Sequence, residues 1–309
     1  MSPVHTDIAY APAHPPGSRG HLLDLHVPDG PGPWPVVDWS HGSAWLEESG
    51  RDGTGAVAAA LGGRGFAVAG VAVRSSRHTP FPGQVHDIEA AIRWLRDNAA
   101  ALHLDAGRLA VMGESSGGWL ALMAALTGDA PEPAGPRAVR AAVAFYPPAD
   151  LLRMDEQAPP GVREALIRWS SGGFSSHRDP SSPESRLLGG PLHSLPERAT
   201  CASPLTHAGA HHPPVLLLHG RRDPLVPYGQ SELLLRAARE RGGHVELIGL
   251  PRGTHGQWQE FLTHPAVGRG AVLLSSRERA DRPILLGWHT VAAFLTRHLA
   301  PADRSGASP

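Results

Sequence analysis

The chain contains no lysine. All 28 basic side chains are arginine, set against 29 acidic ones, and the formal net charge over 309 residues is -1. With both signs scattered and no block of like charge, the sequence carries no electrostatic footprint for nucleic acid or an anionic membrane. The arginine preference reads as coding bias. Cysteine is nearly absent too. The single thiol, Cys201, excludes an intramolecular disulfide, and with no helix start or base evident beside it the residue reads as a structural thiol in a loop rather than a nucleophile. No stretch reaches the roughly 18 consecutive apolar residues of a membrane span, and residues 1–20 hold prolines and histidines but no apolar leader core. The expectation is a soluble cytoplasmic protein with neither a membrane nor a nucleic-acid partner, monomeric or a homodimer.

What is present suits a large globular α/β unit. Apolar residues make up 41% of the chain, enough for a substantial core. The runs Val36-Val37-Asp38-Trp39, Phe66 to Val73, Leu109 to Met112, Val139 to Tyr146, Val215 to Leu218 and Val245 to Leu250 read as strands, most of them nearly continuous in apolar residues. Such strands need cover on both faces. His21 to Pro28 alternates and predicts an early, half-exposed strand. Between the strands, Val85, Ile88, Ile92, Leu95, Ala99 and Leu102 recur at helical steps. Arg51 to Arg64, the residues after Ser115, Ser231 to Arg241 and Trp288 to Leu299 predict further helices. Alternating strands and helices imply a mainly parallel sheet with helices on both faces. One such domain is expected over 1–300, followed by a frayed tail at 301–309. The rhythm fails from Asp150 to Pro214, rich in proline and serine with one helical candidate near Val162 to Trp169; this predicts an inserted, lid-like segment. Ala271 to Leu286 reads as two short strands or packed loop, with Val245 to Leu250 as the last regular strand.

The candidate chemistry begins where the Leu109 run breaks at Gly113-Glu114-Ser115-Ser116-Gly117. This matches G-x-S-x-G, in which glycines let a strand turn sharply into a helix and lift one serine above the sheet. With 36 glycines and 23 serines, about 0.3 such matches arise by chance, so context has to decide. Ligands of open parallel sheets bind beyond the carboxyl ends of the strands, and four loops there carry polar groups: Gly42, Ser43 and Ala44; Ser115; Asp223; His255. A serine hydroxyl needs a base to take its proton, which His255 would supply, and an acid to hold that imidazole, which Asp223 would supply. The backbone after the nucleophile, at Ser116, and the His41 loop would donate N–H groups to a developing oxyanion.

Several stretches together resemble bacterial carboxylesterases of the α/β-hydrolase superfamily, near the hormone-sensitive-lipase-like and feruloyl-esterase-like groups. These are His41 to Trp45, Phe81-Pro82-Gly83-Gln84, the serine turn, Phe145-Tyr146-Pro147 with Asp150, Ser203 to Thr206, His219 to Asp223 with Val226-Pro227, and Gly253 to Gly256. The resemblance implies the α/β-hydrolase fold, a triad of Ser115, Asp223 and His255, and an oxyanion hole of the Ser43, Ala44 and Ser116 N–H groups, but it specifies no substrate. The activity expected from the triad and its loops is hydrolysis of a small-molecule carboxylic ester of a small or medium acyl group, with no cofactor or metal. The chain departs from the family at Ser43, where a second glycine is usual, and at Gln257 to Leu286, which is longer than the family's usual link and leaves two readings open, a cover over the pocket or chain packed elsewhere. Ser43 would then add a hydroxyl donor or narrow the acyl site.

Gly42, Trp45, Glu114 and Trp119 are the candidate pocket residues, although packing alone would also explain two tryptophans there. Glu114 and Asp38 would equally serve local backbone. Asp150 is the rival acid. His207, His211 and His212 have no spacing of a helical ligand pair and read as exposed loop rather than a metal site. Two other functions share these residues. One is acyl transfer, lactonisation or cyclisation on the same fold, if the insertion excludes water; the other is a non-catalytic binding relative.

Overall fold

The computed structural model describes residues 4–128 and 138–301; beyond Pro301 the expected tail lies outside the described residues. Ten strands build one sheet: β1 (Val4–Ala9), β2 (Leu22–His26), β3 (Trp34–Ser40), β4 (Ala67–Val71), β5 (Leu104–Glu114), β6 (Val139–Phe145), β7 (Val215–Gly220), β8 (Val245–Leu250), β9 (Val272–Ser275) and β10 (Arg282–Pro283). Their spatial order is β1-β2-β4-β3-β5-β6-β7-β8-β9-β10. The six strands from β4 to β8 in that order are parallel, and the pairs at either edge are antiparallel.

The apolar runs are continuous because alternate side chains serve two cores. In β5, Leu109 and Val111 join one cluster and Ala110 and Met112 the other; in β7, Val215 and Leu217 part from Leu216 and Leu218 in the same way. On the first face lie α2 (Gly83–Asp97), α3 (Ser116–Thr127) and α8 (Gly229–Arg241). On the second lie α1 (Thr54–Leu61) and α11 (Trp288–His298). Val85, Ile88, Ile92 and Leu95 form the buried stripe of α2. Each contributes about 1.5–3 kcal/mol of transfer free energy, which fixes the face the helix presents.

The parallel crossovers put every strand-to-loop exit of β3, β5, β6, β7 and β8 on one edge of the sheet. Between β6 and β7 the crossover helix is replaced by residues 150–214. This segment is more regular than expected: it holds α4 (Val162–Trp169), α5 (Pro183–Leu188), α6 (Pro196–Cys201) and α7 (Pro204–His207), with three 3-10 turns. The prolines and serines that suggested loop are the starts of these short helices. Pro183, Pro196 and Pro204 sit in first turns, and the Ser182 hydroxyl accepts the Ser185 N–H. The segment has no large core of its own; Leu187, Leu188, Leu192, Ala199 and Ala202 join the first cluster, while Val162, Leu166 and Phe174 form a small one.

Other expectations are corrected at the edges. β1 was not foreseen, since its residues are mostly exposed and lack an apolar face. Because β1 covers its outer side, β2 is largely buried rather than half-exposed. β8 is not the last strand. β9 pairs antiparallel with it, so Gln257 to Leu286 extends the sheet, through α9 (Trp258–Thr263) and α10 (Pro265–Gly268), and only Trp258 of the segment reaches the pocket. Cys201 ends α6 and is exposed. His211 is exposed, whereas His212 is buried with Nδ1 2.7 Å from the Pro213 carbonyl.

Candidate active site

The turn from β5 to α3 stands at the centre of that edge. Ser115 itself takes a positive-φ backbone conformation outside the allowed wells, φ 54° and ψ -122°, at a cost of order 1–3 kcal/mol. The flanking glycines make room rather than supply positive φ. A Cβ on Gly113 would lie 2.4 Å from the Gly117 carbonyl oxygen, and one on Gly117 2.0 Å from that of Ser40. β5, α3 and the end of β3 therefore pack backbone against backbone. The Ser115 N–H donates to Phe145 on β6 at 2.9 Å, which ties the strained residue to the neighbouring strand.

Three loops meet above this turn. Ser115 Oγ is 3.0 Å from His255 Nε2, and His255 Nδ1 is 2.8 Å from Asp223 Oδ2. The other carboxylate oxygen of Asp223 accepts the N–H groups of Leu225 and Val226 at 2.9 and 2.8 Å. Asp223 is fully buried. Burial alone would raise its pKa, but the charge of His255 and the hydrogen bonds of His219 and His255 hold the carboxyl well below the usual range. His219 is pinned behind it by Ser231 Oγ at 2.8 Å and the Val226 carbonyl at 3.0 Å. Burial likewise works against an imidazolium at His255, yet the Asp223 carboxylate and, more weakly, Glu114 raise its pKa above the ordinary 6.5. The Tyr146 ring packs against that of His255 at 4.6 Å, and its hydroxyl accepts the Trp258 N–H. Asp150 has another job: its side chain caps the turn at 151–153 by accepting the Leu152 N–H.

The loop after β3 differs from expectation in detail. Ser43 N–H donates to Ser116 Oγ at 2.9 Å, and Gly42 N–H to Glu114 Oε1 at 2.7 Å. Ser43 lines the cavity, but its hydroxyl donates to the Glu47 carbonyl and so closes its own turn. Backbone strain falls one and two residues later, with φ 51° at Ala44 and 60° at Trp45. Ser43 thus leaves the set of free donors as a holder of the loop, while Ala44 and Ser116 keep N–H groups with no partner among the described residues.

A cavity of about 260 Å³ opens at Ser115 and His255. Gly42, Trp45 and Glu114 line it, as expected. Trp119 does not. It is fully buried, edge-on to Trp45 at 5.4 Å, with its indole N–H donated to the Ala202 carbonyl of the inserted segment at 2.7 Å. Asp38, also buried and outside the cavity, has its carboxyl pushed well up by desolvation.

Residues 23–237 match the family model BD-FAE. The chain belongs to the BD-FAE family. Its relatives include Esterase LipQ of Mycobacterium tuberculosis (strain ATCC 25618 / H37Rv), 29% identical over 262 residues that cover 81% of this chain and 56% of LipQ. Carboxylesterase NlhH of Mycobacterium tuberculosis is 32% identical over 258 residues, 78% of this chain and 73% of NlhH. The chain spans about half the length of several curated relatives it matches, LipQ among them. Among solved structures, a truncated carbohydrate esterase from gut microbiota superposes with a TM-score of 0.73 at 24% identity, covering 97% of both chains. The fold is that of the α/β-hydrolases.

In this BD-FAE chain the inserted segment supplies the far wall of the cavity, through Leu166, Trp169, Phe174, His177, Pro183 and Glu184. His177 and Glu184 form a buried pair with Nδ1 and Oε1 2.9 Å apart. The sequence offered no signal for them, since neither lies in a periodic stretch and histidine occurs 19 times. Tyr146 and His219 fall in the Phe145-Tyr146-Pro147 and His219 to Asp223 stretches, where residue type alone does not reveal that one packs on His255 and the other backs Asp223. Trp258 lines the cavity as the one contribution of the long link after His255.

Proposed function

We propose that this protein is a serine carboxylic-ester hydrolase acting on small or medium acyl esters through an acyl-enzyme. The observation that carries this reading is the unbroken line from Ser115 Oγ through His255 to Asp223 at 3.0 and 2.8 Å, opening into a cavity. The esterase names of LipQ and NlhH support it. In the first half-reaction Ser115 Oγ attacks the ester carbonyl carbon and its proton passes to His255 Nε2. The oxyanion so formed lies within reach of the Ala44 and Ser116 N–H groups, one such donor being worth about 3 kcal/mol of barrier. Collapse of the intermediate breaks the bond to the alcohol, which leaves with the proton from His255. Water, deprotonated by the same nitrogen, then releases the acid and restores Ser115. Labelling with a fluorophosphonate, read by mass spectrometry of the peptide that contains Ser115, tests the reading. Labelling at Ser115 with concurrent loss of p-nitrophenyl butyrate hydrolysis is expected; unlabelled protein that still turns over ester would overturn it.

His255 works as a base only when neutral, and its pKa is raised. The acid limb of kcat/KM is therefore expected above pH 6.5, the ordinary histidine value, with activity falling as the pH drops through it. A limb below that value in a full pH profile would contradict the assigned electrostatics.

Trp169 is 48% exposed at the cavity wall. Trp169→Ala is expected to raise the octanoate-to-acetate ratio of kcat/KM for p-nitrophenyl esters about threefold to tenfold, the scale of a few methylene contacts. An unchanged ratio would mean that the insertion does not bound the acyl site. Among the described residues no helix is long and apolar enough to cross a membrane.

A further inference from the structure

At the edge of the sheet away from Ser115, where β8 begins, the chain reads His244-Val245-Glu246. Residues two apart on a strand share a face, and this face is the one α11 covers, since Ile248 and Leu250 of β8 cluster with Val291, Phe294 and Leu295. His298, the last residue of α11, reaches the same spot. Its ring stands 5.3 Å from that of His244 and 4.6 Å from that of Phe294, edge-on to both.

One ligand atom from each of His244, Glu246 and His298 lies within 4.8 Å of the others. His244 Nε2 and Glu246 Oε1 are 3.4 Å apart. A tetrahedral ion with bonds near 2.1 Å holds its ligands about 3.4 Å from one another, so the strand pair already spans one edge of such a tetrahedron. His298 Nε2 is buried without a hydrogen-bond partner, and a buried imidazole nitrogen is rarely left so. His244 and Glu246 are themselves only 9% and 8% exposed. The carboxyl end of α11 adds a field that favours positive charge. Arg297 Nη1 lies 3.2 Å from Glu246 Oε1, but its side chain is 54% exposed and has room to swing out.

We propose that His244, Glu246 and His298 bind a divalent ion of the zinc class, with water in the fourth position. Two imidazoles and one carboxylate suit zinc or cobalt better than magnesium or calcium, which prefer all-oxygen shells. Lying at the opposite ends of the strands from Ser115, the ion clamps β8 to α11 and takes no part in the chemistry. Its presence or absence therefore does not bear on the esterase reading.

Titration of the intact, EDTA-stripped protein with Zn2+ alone is expected to load one ion per chain at this site. At a hundredfold excess of free ion over Kd it raises Tm by about 4 °C. Co2+ in its place gives the intense visible absorption of a tetrahedral centre. His298→Gln and, separately, Glu246→Gln weaken binding more than about tenfold, while circular dichroism and ester hydrolysis stay as in the parent. The spectrum of Co2+ in the unmodified chain stands even if a variant folds poorly. No Tm shift and no tetrahedral spectrum, or equal binding by both variants because the ion sits on other histidines, would overturn the proposal.

Discussion

Ser115→Ala is expected to lower kcat/KM for p-nitrophenyl acetate by about five to six orders of magnitude, the loss seen when a triad nucleophile is removed. The reason is that the three groups act as a unit. Without Oγ the base has no proton to move, and what remains is the positioning of ester and water beside the oxyanion donors. Stability should change little. The strained φ of 54° belongs to the backbone at 115 and not to the hydroxyl, and alanine meets the same Cβ penalty as serine. The variant therefore separates catalysis from folding: circular dichroism and Tm remain close to the parent while turnover vanishes. Activity retained within about tenfold in a correctly folded variant would remove Ser115 from the chemistry.

Asp223→Asn carries the second largest effect, about 10⁴ in kcat/KM. The direction follows from which oxygen does what. Oδ1 accepts two backbone N–H groups, from Leu225 and Val226, so in the amide that position remains the oxygen. The NH₂ group then takes the place of Oδ2 and points at His255 Nδ1, which is 2.8 Å away in the parent. To accept that donor His255 must carry its proton on Nε2, where it faces Ser115 and can no longer receive one. The same substitution removes the main influence that raises the His255 pKa, so the residual activity should show its acid limb at lower pH. Asp150→Asn serves as control. It keeps the cap on the 151–153 turn and has no contact with His255, so it should leave kcat/KM within about threefold, the range of a surface change. A reversed outcome between the two would hand the role of acid to Asp150.

The parts of this fold that were legible in the sequence are those where burial is symmetrical. Strands covered on both sides are apolar at nearly every position, and the β5, β6, β7 and β8 runs stand out despite Arg140 and Glu246 near the starts of two of them. The loops beyond them hold Ser115, Asp223 and His255, whose side-chain types and chain order reveal a role before any distance is known. What escaped was set by tertiary context. Val272 to Leu274 is too short to decide between strand and packed loop by itself, and it becomes β9 because β8 offers it an edge, whereas its partner β10 forms at Arg282–Pro283 and not at Ile284 to Leu286. The short helices of the insertion depend on capping and on a shared core, neither of which has a period to read. Trp119 shows the limit of adjacency: four residues after Ser115 on a helix, it is buried against the inserted segment with the Ala202 carbonyl as its partner and does not line the cavity. Ser43 stood out as a missing glycine, yet the cost of a side chain fell on Ala44 and Trp45, because the bond to Ser116 Oγ sets the path of the loop.

Ser115 and His255 are 140 residues apart in the chain, and each hangs from a different strand. Their 3.0 Å approach therefore exists only after β5 through β8 have zipped together in register. In a refolding experiment the return of turnover would mark the closing of the sheet as a whole and lag behind the return of helical signal. The hydroxyl is thus a gauge of long-range order as well as a reactant.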